Sequence, residues 1–310
     1  MLFFSIIIPL YNKENFVEKT LQSVLNQTYS NYEVIIINDC STDNSVLRVS
    51  PYLNEIISIH HHKENKGLSA ARNTGIKLAK SDYIVFLDAD DCWKETFLEE
   101  IYSMIISHKN EFVFATNYEV IYDKKLYNSI LKINNSLEKV ILIDDFFKES
   151  LQYPLYIPSS LCVNKSVFDV VGLYNEKITF AEDIDMCLRI HKKFKLVFFT
   201  KPLVSYYMQT ENQITKLGIG NKIIPDFDSF EPNENNTLKK YLDFQRYSIG
   251  LRFKYDNNFM TFDKLKSKIY LNNLNTKQKI LLYMPSKLYK EILHIKNFLL
   301  KHGIRFTTFN

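Results

Sequence analysis

Asp88-Ala89-Asp90-Asp91 stands at the end of an apolar run, Tyr83-Ile84-Val85-Phe86-Leu87, that reads as a buried β-strand. Unpaired charge at the mouth of a buried strand is costly. Carboxylates there suit a hard divalent cation such as Mn2+ or Mg2+ carrying a pyrophosphate. The bland alternative is a run of acidic turn residues capping the next helix. Other acidic residues fall at comparable points: Asp39 after an earlier apolar run, and Glu182-Asp183 further on. A nucleoside-diphosphate ligand would use them differently. Asp39 can accept a hydrogen bond from a base N–H, Asp88 can take ribose hydroxyls or a metal-bound water, and Asp90 can ligate a cation that neutralises two phosphates. Arg72 can add charge to the phosphates or orient the Asp88 cluster.

The first half of the chain has the alternation needed to bring these residues together. Phe3–Pro9, Tyr32–Ile37, Ile56–His60 and Tyr83–Leu87 read as strands. Helical spacing intervenes, first through Phe16, Val17, Leu21, Val24 and Leu25, with Asn12 as the expected cap. A second helix starts near Thr42, Asp43 or Ser45, and a third follows Lys66-Gly67 through Leu68, Ala71, Ile76 and Leu78. Repeating βαβ units imply a parallel sheet with right-handed crossovers, and open sheets of that kind bind ligands at the carboxyl ends of their strands. Phe112–Tyr122 reads as a strand, residues 123–143 as a loop or hairpin, and Tyr153–Pro158 as irregular chain. Asn164–Val171 and Glu182–Lys192 read as short helices, the first closed by Gly172. Leu196–Phe199 and Val204–Tyr207 read as two short strands. Past residue 215 the alternation stops. Asn233–Asn236 looks like a break, and helical spacing follows through Leu281, Leu282, Leu288, Ile292, Ile295, Phe298 and Leu299. Two domains are expected, 1–215 and a basic, helical extension 216–310.

Five blocks carry a family resemblance. Ser5-Ile6-Ile7-Ile8-Pro9-Leu10-Tyr11-Asn12, Val34-Ile35-Ile36-Ile37-Asn38-Asp39, Asn65-Lys66-Gly67 leading to Ala71-Arg72-Asn73, Phe86-Leu87-Asp88-Ala89-Asp90-Asp91, and Ala181-Glu182-Asp183 through Arg189 stand in order over roughly residues 3–210. Together they resemble an inverting family 2 glycosyltransferase. That resemblance implies a GT-A fold: α/β and Rossmann-like, with a mainly parallel sheet flanked by helices, here followed by a C-terminal helical extension. It implies that Pro9, Tyr11, Asp39, Asn65 and Arg72 contact the nucleotide sugar, with Glu14 assisting. Asp88, Ala89 and Asp90 would hold ribose and metal, and Asp183 would be the catalytic base with Glu182 beside it. Inversion at an anomeric carbon needs a carboxylate to accept the proton of the attacking hydroxyl, and adjacent carboxylates raise one another's pKa. An acidic helix start is the alternative reading of that pair.

The chain departs from the family pattern in places. Ser205-Tyr206-Tyr207-Met208-Gln209-Thr210 has no His to serve as a metal ligand, and His191 is expected in a surface or core role. No Gln-x-x-Arg-Trp is present, so one sugar per encounter is expected. Cys40 stands where a small residue, often Gly, is expected. Trp93 either stacks on a sugar ring or anchors the following helix. Tyr153 and Tyr156 form an acceptor platform or pack in the core, and Arg189 is a further candidate acceptor contact. His60-His61-His62 reads as an alternating strand end, and Cys92 is expected to be sensitive to thiol reagents.

The 310 residues are 46% hydrophobic and 24% charged, a globular composition. Four scattered cysteines without Cys-x-x-Cys argue against structural zinc and for reduced thiols. The apolar opening Met1–Ile8 is too short to span a bilayer and reads as a strand, so a cytoplasmic location is expected. Residues 261–310 hold ten Lys/Arg against two Asp/Glu, although the whole chain carries only +4. That tail suits an anionic membrane surface, so peripheral attachment at the inner face of the membrane is expected, with a solvated cap or oligomer contact as the alternative. No motif supports nucleic-acid binding. The expected activity is metal-dependent, non-processive transfer from a UDP-sugar to a cell-envelope glycan or glycolipid. The alternatives are a polyprenyl-phosphate acceptor, or a non-catalytic module that binds nucleotide sugar or glycan.

Overall fold

The computed structural model describes residues 3–122, 125–128, 139–151, 153–208 and 218–301. The chain divides into two compact units, Met1–Phe146 with Tyr153–Lys216 and Ile223–Pro225, and Phe147–Gln152 with Leu217–Lys222 and Asp226–Asn310.

The first unit is built on a ten-stranded sheet. β1 (Phe4–Leu10) and β2 (Tyr32–Asn38) are buried along their whole length, as near-continuous Ile/Val runs must be when helices cover both faces. α1 (Val17–Leu25), the short α2 (Ser45–Val49) and α3 (Leu68–Leu78) alternate with β1, β2, β3 (Ile57–His61) and β4 (Tyr83–Phe86). β3, β2, β1 and β4 lie side by side in that order, all parallel. Pro9 is tolerated inside a central strand because the β1–β4 ladder ends at Ile7–Phe86, so its missing N–H removes no ladder bond on that side.

Antiparallel pairing enters beyond β4. After β5 (Cys92–Trp93), α4 (Phe97–Ser107), β6 (Val113–Tyr122), β7 (Lys125–Asn128), β8 (Val140–Ile143) and α5 (Phe146–Glu149), the chain forms β9 (Leu161–Asn164), α6 (Ser166–Val171), α7 (Glu182–His191) and β10 (Leu196–Tyr207). β9 lies antiparallel between β4 and β6, β10 runs parallel to β6, and β5 closes that edge against β10. β7 turns back on β6 as the hairpin expected after Tyr122, while residues 129–138 lie outside the described residues. The two short strands expected over 196–207 are one strand, with register shifts on either side of Pro202. Gly172 closes α6 at φ 79°, a left-handed position that glycine takes without a Cβ penalty.

The second unit is helical. α8 (Thr237–Tyr255) is capped by Asn236, whose side chain accepts the Lys239 N–H; α9 (Phe259–Ser267), α10 (Thr276–Tyr283) and α11 (Ser286–Lys301) follow. The helical spacing expected from Leu281 onward is divided between α10 and α11 around Pro285. Fully buried Asp243 accepts hydrogen bonds from Lys239, Arg246, the Tyr270 N–H and Asn273. The buried Lys254 ammonium donates to the carbonyls of Leu281 and Leu282, in the last turn of α10, where the helix dipole favours a cation. Among the described residues no helix is long and apolar enough to cross a membrane.

One close approach seats α3 on the sheet. A Cβ on Gly75 would fall well inside van der Waals contact with the buried Ile7 side chain, which leaves Ile7 nowhere to move. Gly75→Ala should therefore lower unfolding stability by about 2 kcal/mol, the overpacking cost outweighing alanine's better helix propensity. Urea denaturation of the purified variant measures it, and an equal or higher midpoint contradicts the tight seating.

Candidate active site

The strand order sets the site. β1, β2 and β4 end on the same side of the sheet, and each hands its chain to a turn that carries polar groups. After β1, Asn12 takes φ 50° and its side-chain oxygen accepts the Thr42 N–H. It therefore bridges two turns rather than capping α1, which is preceded by Phe16. Pro9 is buried in β1, Tyr11 beyond it is 43% exposed, and Glu14 accepts the Asn44 N–H.

After β2, Asp39 is buried and engaged. Its Oδ1 accepts the Lys66 N–H at 2.8 Å and faces His62 Nδ1 at 2.7 Å, while Oδ2 accepts the Gly67 N–H at 2.7 Å. Asn65 donates to the Asp39 carbonyl. The carboxylate thus lies at the N-terminus of α3, where the helix dipole favours negative charge. Cys40 follows at φ 62°, which accounts for the expectation of a small residue there.

After β4, the acidic turn is tied down from several sides. Thr20 Oγ1 on α1 lies within hydrogen-bonding distance of the Ala89 and Asp91 carbonyls. Asp91 is buried; its carboxylate accepts the Ser159 hydroxyl at 2.5 Å and the Tyr207 N–H at 3.3 Å. Ser159 in turn accepts the Asp88 N–H. Burial, with the charges of Asp90 and Asp88, holds the Asp91 carboxyl well above the usual range. Asp90 pairs with the Lys13 ammonium at 2.7 Å.

Arg72 joins this turn to the start of α7. Its guanidinium is buried, donating to Asp88 at 2.9 Å and to Glu182 at 3.3 Å, and it lies 5.3 Å from the Tyr174 ring centroid. Its Nε finds no hydrogen-bond partner among the described residues. Both neighbouring carboxylates raise its already high pKa, so it stays charged. Ala181 enters α7 at φ 63°, a strained conformation for a residue with a Cβ. Burial, reinforced by the charge of Asp183, pushes Glu182 up to about 7. Asp183 is raised as well, chiefly by desolvation, and the residue as a whole is exposed.

A model of glycosyl transferase family 2 matches residues 5–172. The chain belongs to glycosyl transferase family 2. It is 35% identical over 139 residues to the Escherichia coli UDP-Glc:alpha-D-GlcNAc-diphosphoundecaprenol beta-1,3-glucosyltransferase WfgD, a match covering 41% of this chain and 54% of that one. Against several such relatives it spans about half of their length or less. With the amylovoran biosynthesis glycosyltransferase AmsB of Erwinia amylovora it shares 28% identity over 302 residues, 92% of this chain and 96% of the relative. The fold is similar to that of Staphylococcus aureus TarS, solved in complex with UDP-GlcNAc, at a TM-score of 0.60, 16% identity and coverage of 93% of this chain and 88% of that one. The α/β sheet flanked by helices is accordingly a GT-A fold.

Several of the candidate residues are engaged in packing. Trp93 is buried, stacked on Phe97 and donating its indole N–H to the Ser159 carbonyl, so it anchors α4 and has no face free for a sugar. Arg189 is committed to Asp185 and to the Val171 and Gly172 carbonyls, which fastens α6 to α7. Tyr156 hydrogen-bonds His191, which stacks on Phe146 and is pushed down to about 3 by burial. That is the packing alternative for Tyr156 and a core role for His191; Tyr153 is half-buried. Cys92 is buried and its thiol pushed up to about 11, chiefly by desolvation, which makes it unreactive rather than sensitive.

Sequence reasoning missed Lys13, His62 and Ser159. Lys13 meets Asp90 across 77 residues, which no local pattern reveals. His62 was legible in principle: β3 ends at His61, so His62 escapes the strand alternation and turns toward Asp39. As for a metal, no group of three His, Cys, Asp or Glu side chains among the described residues could hold one alone. Asp88 and Asp90 fit the other common arrangement, one or two carboxylates with the remaining ligands supplied by substrate phosphates and water.

A carboxyl whose pKa rises from 4.5 unfolded to about 7 folded favours the fold while protonated. That contribution is complete below pH 4.5 and is lost as pH climbs through 7. Glu182→Gln, neutral throughout, should lack this part of the pH dependence, worth roughly 3 kcal/mol between the two ends. Denaturant unfolding near pH 4.5 and about pH 8 measures it; identical slopes in both proteins would show that Glu182 ionises normally.

Proposed function

We propose that this glycosyltransferase is metal-dependent, inverting and non-processive, and that it moves a sugar from a UDP-sugar to a hydroxyl of a cell-envelope glycan or glycolipid. The observation that carries the reading is the exposed Asp183 beside a Glu182 that Arg72 ties to Asp88. One guanidinium thus joins the acidic turn to the neighbour of the proton acceptor. The relatives support the rest: WfgD is named for UDP-Glc and GlcNAc-diphosphoundecaprenol, AmsB for amylovoran biosynthesis, and TarS was solved with UDP-GlcNAc.

In this reading Asp39 faces the nucleobase, with Tyr11, Asn65, Pro9 and Glu14 around it. Asp88, Ala89 and Asp90 meet the ribose and diphosphate. Asp90 and Asp88, together with the donor phosphates, would hold Mn2+ or Mg2+, and the cation would supply positive charge against the leaving diphosphate. Asp183 accepts the proton of the acceptor hydroxyl as that oxygen attacks the anomeric carbon from the face opposite the diphosphate. The upward shifts of Glu182 and Asp183 make each a stronger proton acceptor than an ordinary carboxylate. Arg72 keeps Asp88 and Glu182 apart and oriented, and Lys13 adds a cation beside Asp90.

Asp183→Asn should lower kcat by several hundredfold while leaving the donor KM within about threefold, and EDTA should abolish turnover that Mn2+ restores. UDP release from a panel of UDP-sugars with purified acceptor glycolipid measures both. Near-normal turnover in Asp183→Asn would point to an acceptor that is already ionised, such as a polyprenyl phosphate.

We also propose attachment to the inner membrane face through the second unit. Leu288, Ile295 and Phe298 of α11 and Ile280 and Tyr283 of α10 are exposed. They stand among Lys277, Lys279, Lys287, Lys290 and Lys296, the composition of a helix that lies on anionic lipid. Flotation should carry the protein with phosphatidylglycerol vesicles at low salt and not with phosphatidylcholine vesicles or at high salt. Recovery in the soluble fraction under all three conditions removes the membrane reading.

A further inference from the structure

The Asp39 carboxylate is held from three sides. Carboxylate oxygens accept about two hydrogen bonds each. Oδ1 is filled by the Lys66 N–H and His62 Nδ1, whereas among the described residues Oδ2 receives only the Gly67 N–H. An ionised carboxylate only accepts, so His62 carries its proton on Nδ1. The far side of the imidazole, Nε2, lies 2.9 Å from Thr74 Oγ1 on α3. The ring cannot swing away: its backbone N–H donates to the Asn38 carbonyl, its own carbonyl faces Cys40 Sγ, and its side chain is 8% exposed.

We infer that His62 is a positioning residue for nucleobase recognition. By filling Oδ1 and bracing Asp39 against Thr74, it leaves a single acceptor position on Oδ2, which selects a base presenting a ring N–H. Uracil offers such an N–H at N3, whereas cytosine presents a bare ring nitrogen, whose lone pair opposes the carboxylate. Without His62, Asp39 gains a second open acceptor position and the freedom to rotate, and the preference should blur. This rests on the reading that Asp39 faces the base.

The test uses the full-length protein with UDP and CDP as probes. Binding of each is measured by calorimetry, and donor KM and kcat by UDP release. His62→Leu should weaken UDP binding and raise the donor KM by about tenfold, the scale of one charge-assisted hydrogen bond, with kcat within about twofold. The ratio of UDP to CDP affinity should fall by a similar factor. His62→Gln, which can still present an N–H to Asp39, should recover most of both losses, and Thr74→Val should lie between. A general packing role would move the melting temperature without moving the nucleotide ratio. An unchanged ratio in His62→Leu overturns the proposal. Should that variant fail to fold, an unchanged ratio and KM in Thr74→Val overturn it instead. Asp39→Asn separates the two levels: normal UDP binding there sinks the nucleobase reading itself, whereas lost UDP binding with a normal His62→Leu sinks only the role of His62.

Discussion

One buried guanidinium compensates a concentration of negative charge that would otherwise force the site apart. Asp88 reaches electrostatically to Asp91, Glu182, Asp183, Tyr174 and Tyr206, and raises the pKa of each. Arg72 lowers Glu182, Asp183 and Tyr174 in return. Removing one partner of such a buried array leaves an uncompensated charge, which typically costs several kcal/mol. The architecture around Arg72 follows from that constraint. α3 must lie close enough to β1 to deliver it, which requires Gly75, and α7 must start abruptly, which requires the strained backbone of Ala181.

The described residues with a Cβ and a positive φ are Asn12, Cys40, Ala181 and Asn257. The first three follow β1, follow β2 and precede α7, the positions where the chain hands polar groups to the site. Each such conformation costs about 1–3 kcal/mol and persists only when its surroundings over-determine it. The surroundings here are hydrogen bonds to neighbouring turns: Asn12 to Thr42 and Ser41, Cys40 Sγ to the His62 carbonyl. The rigidity of the turns is therefore collective.

The parallel half of the sheet was legible because each strand is a single apolar run and each helix has its own periodicity. β1, β2, β3 and α3 lie within one residue of where the sequence put them. The acidic groups were legible for the same reason, since a strand end fixes where its following residues go. Contacts between elements were not. Trp93 and Arg189 have side chains that suit ligands as well as packing, and only the positions of Phe97, Ser159 and Asp185 decide. The Pro202 irregularity likewise divided β10 in the sequence, because a ladder that resumes after a bulge leaves no local mark.

The contacts of the site differ greatly in how much chain they enclose. Asp39 finds His62, Lys66 and Gly67 at separations of 23 to 28 residues, and Arg72 finds Asp88 at 16. Arg72 reaches Glu182 only across 110. Loop closure over such a span is entropically late. During synthesis, the segment that ends at β4 can settle its own contacts while the ribosome is still adding α7. The partner that completes the guanidinium arrives last, so a nascent or truncated chain can hold an ordered first half and still lack the carboxylates that would act on an acceptor.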